Sequence, residues 1–345
     1  MTRKLIENIN PHEITIATLC SHTSLQIFHG ARIEGFKTLG ITVGKPPRFY
    51  DAYPGAKPDE FLVLENHKEL LQHAEELREK NTIIVPHGSL VEYMGAVNYL
   101  NLEVPVFGNR RVLEWESDRK KSRQWLESAG IPMPEEITDP ADIASPVIVK
   151  YYGAKGGKGF FIAKDHSDFE KQVDSTQPYT IQRFVHGTRY YFHYFYSPIT
   201  SKGYTLSKGS LEMLGIDKRI ESNVDEIFRA HGTLIEPTFV VTGNMPLVIR
   251  ESLLPEVFEM GERVVEKSIE MFGGMTGPFC LETVLTDKLE FKVFEISARI
   301  VAGTNLFPAG SPYTEYTGHN ISMGRRIALE IKRAVELNKL EEVLS

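Results

Sequence analysis

Cysteine is scarce in this chain: Cys20 and Cys280 are the only two among 345 residues, and they lie far apart in sequence. That excludes a disulfide framework and fits a reducing compartment, and no His/Cys spacing of the zinc type is present. Long apolar runs are missing too. The first of them, residues 14–19, is too short for a secretory signal or for a bilayer span, which needs about 20 apolar residues. Positive charge is in deficit, with 39 Lys and Arg against 46 Asp and Glu and a formal net charge of −7. The surface as a whole is therefore not one for nucleic acid or for a membrane, and any positive potential must be local. No repeat and no low-complexity segment is visible. The expectation is a cytoplasmic protein whose partners are small molecules.

What is present supports a sizeable core: 41% of residues are hydrophobic and 25% charged. At roughly 100–200 residues per domain, the length argues for two or three packed units. Residues 14–19 read as a buried strand, and SHTS at 21–24 supplies several possible helix N-caps. A helix follows from Leu25 and stops at Gly35. Residues 39–43 form the next strand, 67–80 a polar helix, and 82–85 another strand, broken by PHGS at 86–89. Residues 104–107, followed by Gly108 and Asn109, repeat the pattern. Strand, polar turn, helix, several times over, predicts a parallel sheet with helices on its faces. Ligands in such sheets bind at the carboxyl ends of strands, which singles out the turns at 20–24 and 87–89.

A second unit starts near residues 115–118 with a helix over 120–128 and a stop at Gly130. Strands then dominate: 147–150, 159–163, 179–185 and 190–196. Two amphipathic helices follow, one with Val257, Met260, Val264, Ser268 and Phe272 on a face, the other with Met323, Ile327, Ile331 and Val335. The expected fold is α/β and α+β, with an N-terminal domain over 1–115, a smaller subdomain over 116–200 and a larger one over 201–345.

Two segments carry chemistry. In the first, strand 147–150 ends on Lys150 and runs into GAKGGKG at 153–159 before another strand leaves. Glycines let backbone N–H groups approach an anion, and lysines neutralise it. Phosphate is the natural guest. The loop is neither a Walker P-loop nor a dinucleotide fingerprint, since both GK[ST] and G-x-G-x-x-G are missing. The plainer alternative is a solvated hairpin with charged residues at its tip.

The second segment pairs FCLE at 279–282 with VFEISAR at 293–299 across a turn at 286–288. A turn centred on Asp287 and Lys288 puts Glu282 opposite Val293, with Glu295, Ser297 and Arg299 on the Glu282 face. Carboxylates about 5 Å apart repel by roughly 3 kcal/mol at an effective dielectric near 20. A Mg²⁺ ion with phosphate oxygens offsets that, and Arg299 would clamp a terminal phosphate. The alternative is a salt-bridged outer face, with Arg299 and Lys292 as partners.

Together these features resemble the ATP-grasp superfamily. The resemblance implies ATP between two α+β subdomains, with Lys150 on its phosphates. Gly153, Lys155, Gly156, Gly157 and Lys158 would form a lid, and Gln182, Phe184 and Val185 would lie against adenine. One departure is visible: Ser297 stands where many members have Asn, which leaves the third metal-side ligand open. SHTS at 21–24, PHGS at 86–89, FGN at 107–109, EWESD at 114–118, HYFYS at 193–197, DKRIESN at 217–223, TGN at 242–244, RES at 250–252 and FEISAR at 294–299 carry the resemblance further. They resemble, nearly end to end, the archaeal formate-dependent FAICAR (5-formaminoimidazole-4-carboxamide ribonucleotide) synthetases of purine biosynthesis.

That resemblance implies a ligase with the following reaction: ATP, formate and AICAR give ADP, phosphate and FAICAR through formyl phosphate. It also implies AICAR contacts at His22, Ser89 and Asn244, an ATP contact at Glu221, Mg²⁺ or Mn²⁺ on Glu282 and Glu295, catalytic roles for Lys150 and Arg299, and a homo-oligomer. Two alternatives stay open: a paralogue joining another carboxylate to a related amine, and a non-catalytic nucleotide sensor. Cys280 reads as a small buried strand residue. His186, His193 and the aromatic run 190–196 read as core or subunit contacts.

Overall fold

The structure, a computed structural model, describes residues 2–152, 159–221, 240–302, 310–317 and 320–345. Strands β1 (Thr15–Leu19), β2 (Lys37–Val43), β3 (Glu60–Leu64) and β4 (Thr82–Ile84) form a sheet in the order β3-β2-β1-β4. Every pairing in it is parallel, as the alternating pattern predicts. All five residues of β1 are buried, which is what a central strand covered on both faces requires.

Two expectations here need correction. The polar stretch 67–80 is not one helix but a 3₁₀ turn, His67–Leu71, and a short α-helix, Ala74–Glu79. Leu70 in the first and Leu77 in the second are the buried residues, too little packing to hold one long helix. Residues 104–107 form no regular strand. Val106 makes a single parallel bridge to Ile84, and Phe107 an antiparallel one to Leu344.

The next four strands, β5 (Glu136–Ile137), β6 (Val147–Tyr151), β7 (Phe160–Ala163) and β8 (Tyr179–Arg183), form an antiparallel sheet in the order β5-β8-β6-β7. Ile137, Val147, Val149, Phe169 and Ile181 give it a core of its own. A second antiparallel sheet takes β9 (Thr188–Ser197), β10 (Tyr204–Thr205), β11 (Ser210–Glu221), β12 (Val241–Pro246), β13 (Gly277–Leu285) and β14 (Phe291–Ser297). Its order is β10-β11-β9-β13-β14, with β12 also on β11. The helix Leu254–Phe272 covers one face, burying Val257, Met260, Val264, Ser268 and Phe272 as its periodicity predicts.

Strand β9, expected in the smaller subdomain, is central to this larger sheet. We therefore draw the division at residues 184–187, between β8 and β9, rather than at 200. The helix Met323–Glu336 runs back against the helix Ser24–Ile33 of the first domain. Its Arg326 donates to Glu212 on β11 at 2.7 Å and to the fully buried Glu330 at 2.8 Å, pinning that helix to the large sheet. The first sheet and the large sheet thereby share one packed core, which includes Ile16 of the one and Phe195 and Leu214 of the other.

Candidate active site

The acidic hairpin departs from simple counting in an instructive way. A bulge at Phe294 shifts the register, so that Thr283 pairs with Val293 and Glu282 pairs directly with Glu295. The extra residue re-aims the strand, and both carboxylates come to one row of one face. Glu282 is buried and Glu295 exposed. Burial, and then the neighbouring Glu295, push the Glu282 carboxyl above the usual carboxylate range, against the pull of Arg219. Lys292 lies 4.0 Å from Glu290, so the expected alternative partner of the acidic pair is turned elsewhere.

Arg219 on β11 joins this pair. Its two terminal nitrogens donate to the two Glu282 oxygens at 3.1 and 2.9 Å. Its guanidinium lies 3.8 Å from the ring centroid of Tyr191, which stands opposite Glu282 on β9. The aromatic run 190–196 is thus packing for the most part, with Tyr191 serving as a floor under Arg219.

Lys150 reaches this hairpin from the other sheet. Its ammonium lies 5.7 Å from the Phe294 ring centroid. Burial lowers its pKa, opposed chiefly by the attraction of Glu295 and less by that of Glu282. The loop residues Gly153, Lys155, Gly156, Gly157 and Lys158 lie outside the described residues. Gln182 is buried on β8, while Phe184 and Val185 follow the strand end and are half-buried. Glu221 ends β11 and accepts from Arg189 at 2.5 Å.

A third group comes from the first domain. Thr23 has φ 65°, a left-handed conformation that a β-branched residue adopts only at a cost of order 1–3 kcal/mol. The helix Ser24–Ile33 then starts without a side-chain cap, contrary to the expectation from SHTS. Thr23 instead donates its hydroxyl to the His22 carbonyl at 2.5 Å, and Ser24 donates to the Ser21 carbonyl at 2.7 Å. The strained turn directs His22 at the next strand end, where its Nε2 accepts the Ser89 N–H at 3.3 Å. The Ser21 and Ser89 hydroxyls are 2.9 Å apart. His87, fully buried beneath, is hydrogen-bonded through Nε2 to the Leu19 carbonyl at 2.9 Å. Burial first, with Arg299 also contributing, holds His22 down to about 4, and burial with the His22 charge holds His87 at about 3.

Arg299 joins the groups. It donates to Glu116 at 2.8 Å, and Glu116 also accepts the Ala298 N–H at 3.0 Å. Gly88, between His87 and Ser89, lies so close that a Cβ there would stand 3.5 Å from the Arg299 Cζ. Asn244 on β12 pairs in register with Arg219. Its amide nitrogen donates to the Ala302 carbonyl at 3.3 Å, while its oxygen is buried without a hydrogen-bond partner among the described residues.

Lys150, Glu282, Glu295 and Arg299 are therefore brought together, as are His22 and Ser89. Glu116, His87 and Arg219 were missed, although each stands inside a segment whose pattern had drawn notice. Cys280 is buried and its thiol is raised by that burial, as expected. His193 is buried, its Nε2 2.9 Å from an Asp217 carboxylate oxygen. His186, by contrast, is exposed with its ring edge toward Phe184, so it is no core residue. Among the described residues no three His, Cys, Asp or Glu side chains converge as a metal cage. The hairpin itself contributes the Glu282–Glu295 pair, hard oxygen donors suited to a cation that phosphate oxygens also ligate.

A parallel-sheet domain followed by two antiparallel sheets, with a strand lysine of one brought against the acidic hairpin of the other, is an ATP-grasp architecture. N5-carboxyaminoimidazole synthetase from Staphylococcus aureus, solved with ADP, shares that fold with a TM-score of 0.64. The likeness covers 94% of this chain and 79% of that one at 14% identity. Residues 16–137 match the family model described as a protein of unknown function, DUF1246, and residues 169–345 match DUF1297, a domain of unknown function. Much nearer is the IMP biosynthesis protein PurP from Thermococcus kodakaraensis, 32% identical with a TM-score of 0.76 over 96% of this chain and all (100%) of that one. A 5-formaminoimidazole-4-carboxamide-1-(beta)-D-ribofuranosyl 5'-monophosphate synthetase of Methanosarcina barkeri is 63% identical, over 99% of this chain and 98% of that protein. The synthetase of that name from Methanocaldococcus jannaschii is 44% identical over 99% and 98%. The chain belongs to this synthetase family.

Proposed function

We propose that the chain is an ATP-dependent carbon–nitrogen ligase that formylates AICAR to FAICAR with formate, releasing ADP and phosphate, in purine biosynthesis. The observation that carries the reading is the direct Glu282–Glu295 pair, with Lys150 above it and Arg299 leading from it to the His22–Ser89 turn. One end of that row suits a nucleotide triphosphate, the other a second nucleotide.

The chemistry has two steps. A formate oxygen attacks the γ-phosphorus, the bond from that phosphorus to the β–γ bridging oxygen breaks, and ADP leaves. The AICAR 5-amino nitrogen then attacks the carbon of formyl phosphate, the carbon–oxygen bond to phosphate breaks, and the amine loses a proton. Phosphoryl transfer of this kind depends on positioning and charge stabilisation more than on covalent chemistry. Lys150 and the loop 153–158 are assigned to the ATP phosphates, with Gln182, Phe184, Val185 and Glu221 around the rest of ATP. Glu282 and Glu295 would hold Mg²⁺ or Mn²⁺, which supplies neutralising charge to the phosphates.

His22, Ser89 and Asn244 are assigned to AICAR. The uncapped start of the helix Ser24–Ile33 supports this, because its backbone N–H groups suit the nucleotide phosphate. No helix among the described residues is long and apolar enough to cross a membrane. We place the enzyme in the cytoplasm as a homo-oligomer, a state that light scattering measures.

The deciding experiment incubates purified protein with Mg-ATP, formate and AICAR, omitting each in turn, and weighs the products. ADP release that needs all three, with AICAR gaining a formyl mass, establishes the reaction. AICAR binding without formate dependence would instead point to another carboxylate.

A further inference from the structure

Formate offers an enzyme almost nothing to read: one carbon, one hydrogen and two oxygens sharing a charge. Its handle is the carboxylate itself, and the side chain that matches two carboxylate oxygens in one plane is arginine. On the assumption that formate and ATP are the substrates as argued above, we propose that Arg219 binds and orients the one-carbon carboxylate.

Three observations carry this. Arg219 already presents both terminal nitrogens to a carboxylate, that of Glu282, at 3.1 and 2.9 Å. Three other cations described around the hairpin are placed differently: Lys150 lies over Phe294 and has no planar fork, Arg299 is held by Glu116 beside Gly88, and Arg189 is paired with Glu221 at 2.5 Å. The Arg219 guanidinium also lies 3.8 Å from the Tyr191 ring centroid, so its plane is set before any ligand arrives. Finally, Arg219 stands between the acidic pair and Asn244, its register partner on β12. A carboxylate there has phosphate chemistry on one side and the AICAR site on the other.

Glu282 acts as a stand-in for the substrate in the resting site. Once Glu282 turns to a cation, a buried guanidinium left alone is costly, and an incoming carboxylate restores its pairing. In the first step Arg219 holds one formate oxygen while the other attacks phosphorus. In the second it faces the formyl oxygen, which gains negative charge as the amine attacks carbon and loses it again as phosphate leaves.

The test is steady-state kinetics of Arg219→Lys and Arg219→Ala, with ATP, formate and AICAR varied separately. The expected result for Arg219→Lys is a formate KM raised on the order of tenfold or more, with the KM values for ATP and AICAR within about twofold of wild type. Added guanidinium ion should restore activity to Arg219→Ala. Equal rises in the ATP and formate KM values, or a loss of kcat at unchanged formate KM, would overturn the assignment. So would a folded Arg219→Ala, checked by AICAR-induced thermal stabilisation, that guanidinium fails to rescue. Should Arg219→Ala not fold, the KM pattern of Arg219→Lys decides alone. If wild type itself forms no FAICAR from formate, the substrate reading fails first, so the two failures are distinguishable.

Discussion

Arg299 donates to the half-buried Glu116 carboxylate at 2.8 Å and is thereby held between the acidic hairpin and the His22–Ser89 turn. Burial raises the Glu116 carboxyl, while the Arg299 charge and the Ala298 N–H pull it down. Neither residue explains its position alone. Glu116 belongs to the short helix Val112–Glu116 that leads out of the first domain, and Arg299 follows β14 of the large sheet. Their contact fixes how the His22–Ser89 turn of one domain meets the acidic hairpin of the other.

Glu295→Gln should abolish turnover while leaving AICAR binding nearly intact. The substitution removes one of two facing carboxylates but keeps its size, and the His22 ring is engaged by the Ser89 N–H, not by the hairpin. Calorimetric titration with AICAR, beside an ADP-release assay, checks both halves. Full activity in this variant would take Glu295 out of the metal site.

His22→Ala should weaken AICAR by about tenfold, on the order of the 1–3 kcal/mol that a lost hydrogen bond to a buried group costs, and should weaken ATP far less. The imidazole accepts the Ser89 N–H, whereas Lys150 approaches the acidic hairpin from the small sheet. Separate KM determinations for the two nucleotides read the difference. An unchanged AICAR KM would remove His22 from that site.

Lys150, Glu282 and Glu295 were legible in the sequence because charged residues inside apolar strands stand out, and period-two counting put both glutamates on one face. Counting could not see the bulge at Phe294, which turns a diagonal neighbour of Glu282 into its direct partner. Arg219 and Glu116 were hidden for another reason. Their partners, Glu282 and Arg299, come from distant strands, and the order of strands in a sheet is not a local property. The same limit misplaced β9, whose aromatic residues say that it is buried but not in which sheet. His22 could be found from its strand-to-helix turn, yet the left-handed Thr23 that aims it carries no sequence signal, since threonine rarely adopts that conformation.

Acid should destabilise the fold through His22 and His87. Their pKa values are held at about 4 and about 3, below the ordinary 6.5. Both are neutral when folded near neutral pH, while the unfolded chain takes up protons on them below about 6.5. Stability from this source is complete above that pH and is lost as pH falls from there toward 4 and then 3. By pH 4.5 the two together cost on the order of 5 kcal/mol, at about 1.4 kcal/mol per pKa unit for each. Urea unfolding between pH 7 and 4.5 measures the slope. His22→Gln should flatten it by about one proton, and an unchanged slope would contradict the burial argument.

Gly324→Ala should force two helices apart. A Cβ at Gly324 would stand 2.3 Å from the Gln26 carbonyl oxygen and 2.6 Å from the Ile27 nitrogen, backbone atoms that no rotamer change can move aside. Gly30 meets the other helix just as closely, its added Cβ standing 2.3 Å from the Arg325 Cα. Overpacking of this kind costs about 1–3 kcal/mol. Because the helix Ser24–Ile33 begins directly after His22 and Thr23, its displacement should also raise the AICAR KM more than the ATP KM. Gly55→Ala is the control, since its nearest neighbour is a His29 side-chain atom at 3.8 Å. Calorimetry should show a lower Tm for Gly324→Ala and no change for Gly55→Ala. Equal Tm values for both would mean that the helices can separate without loss, and that their contact does not position the nucleotide turn.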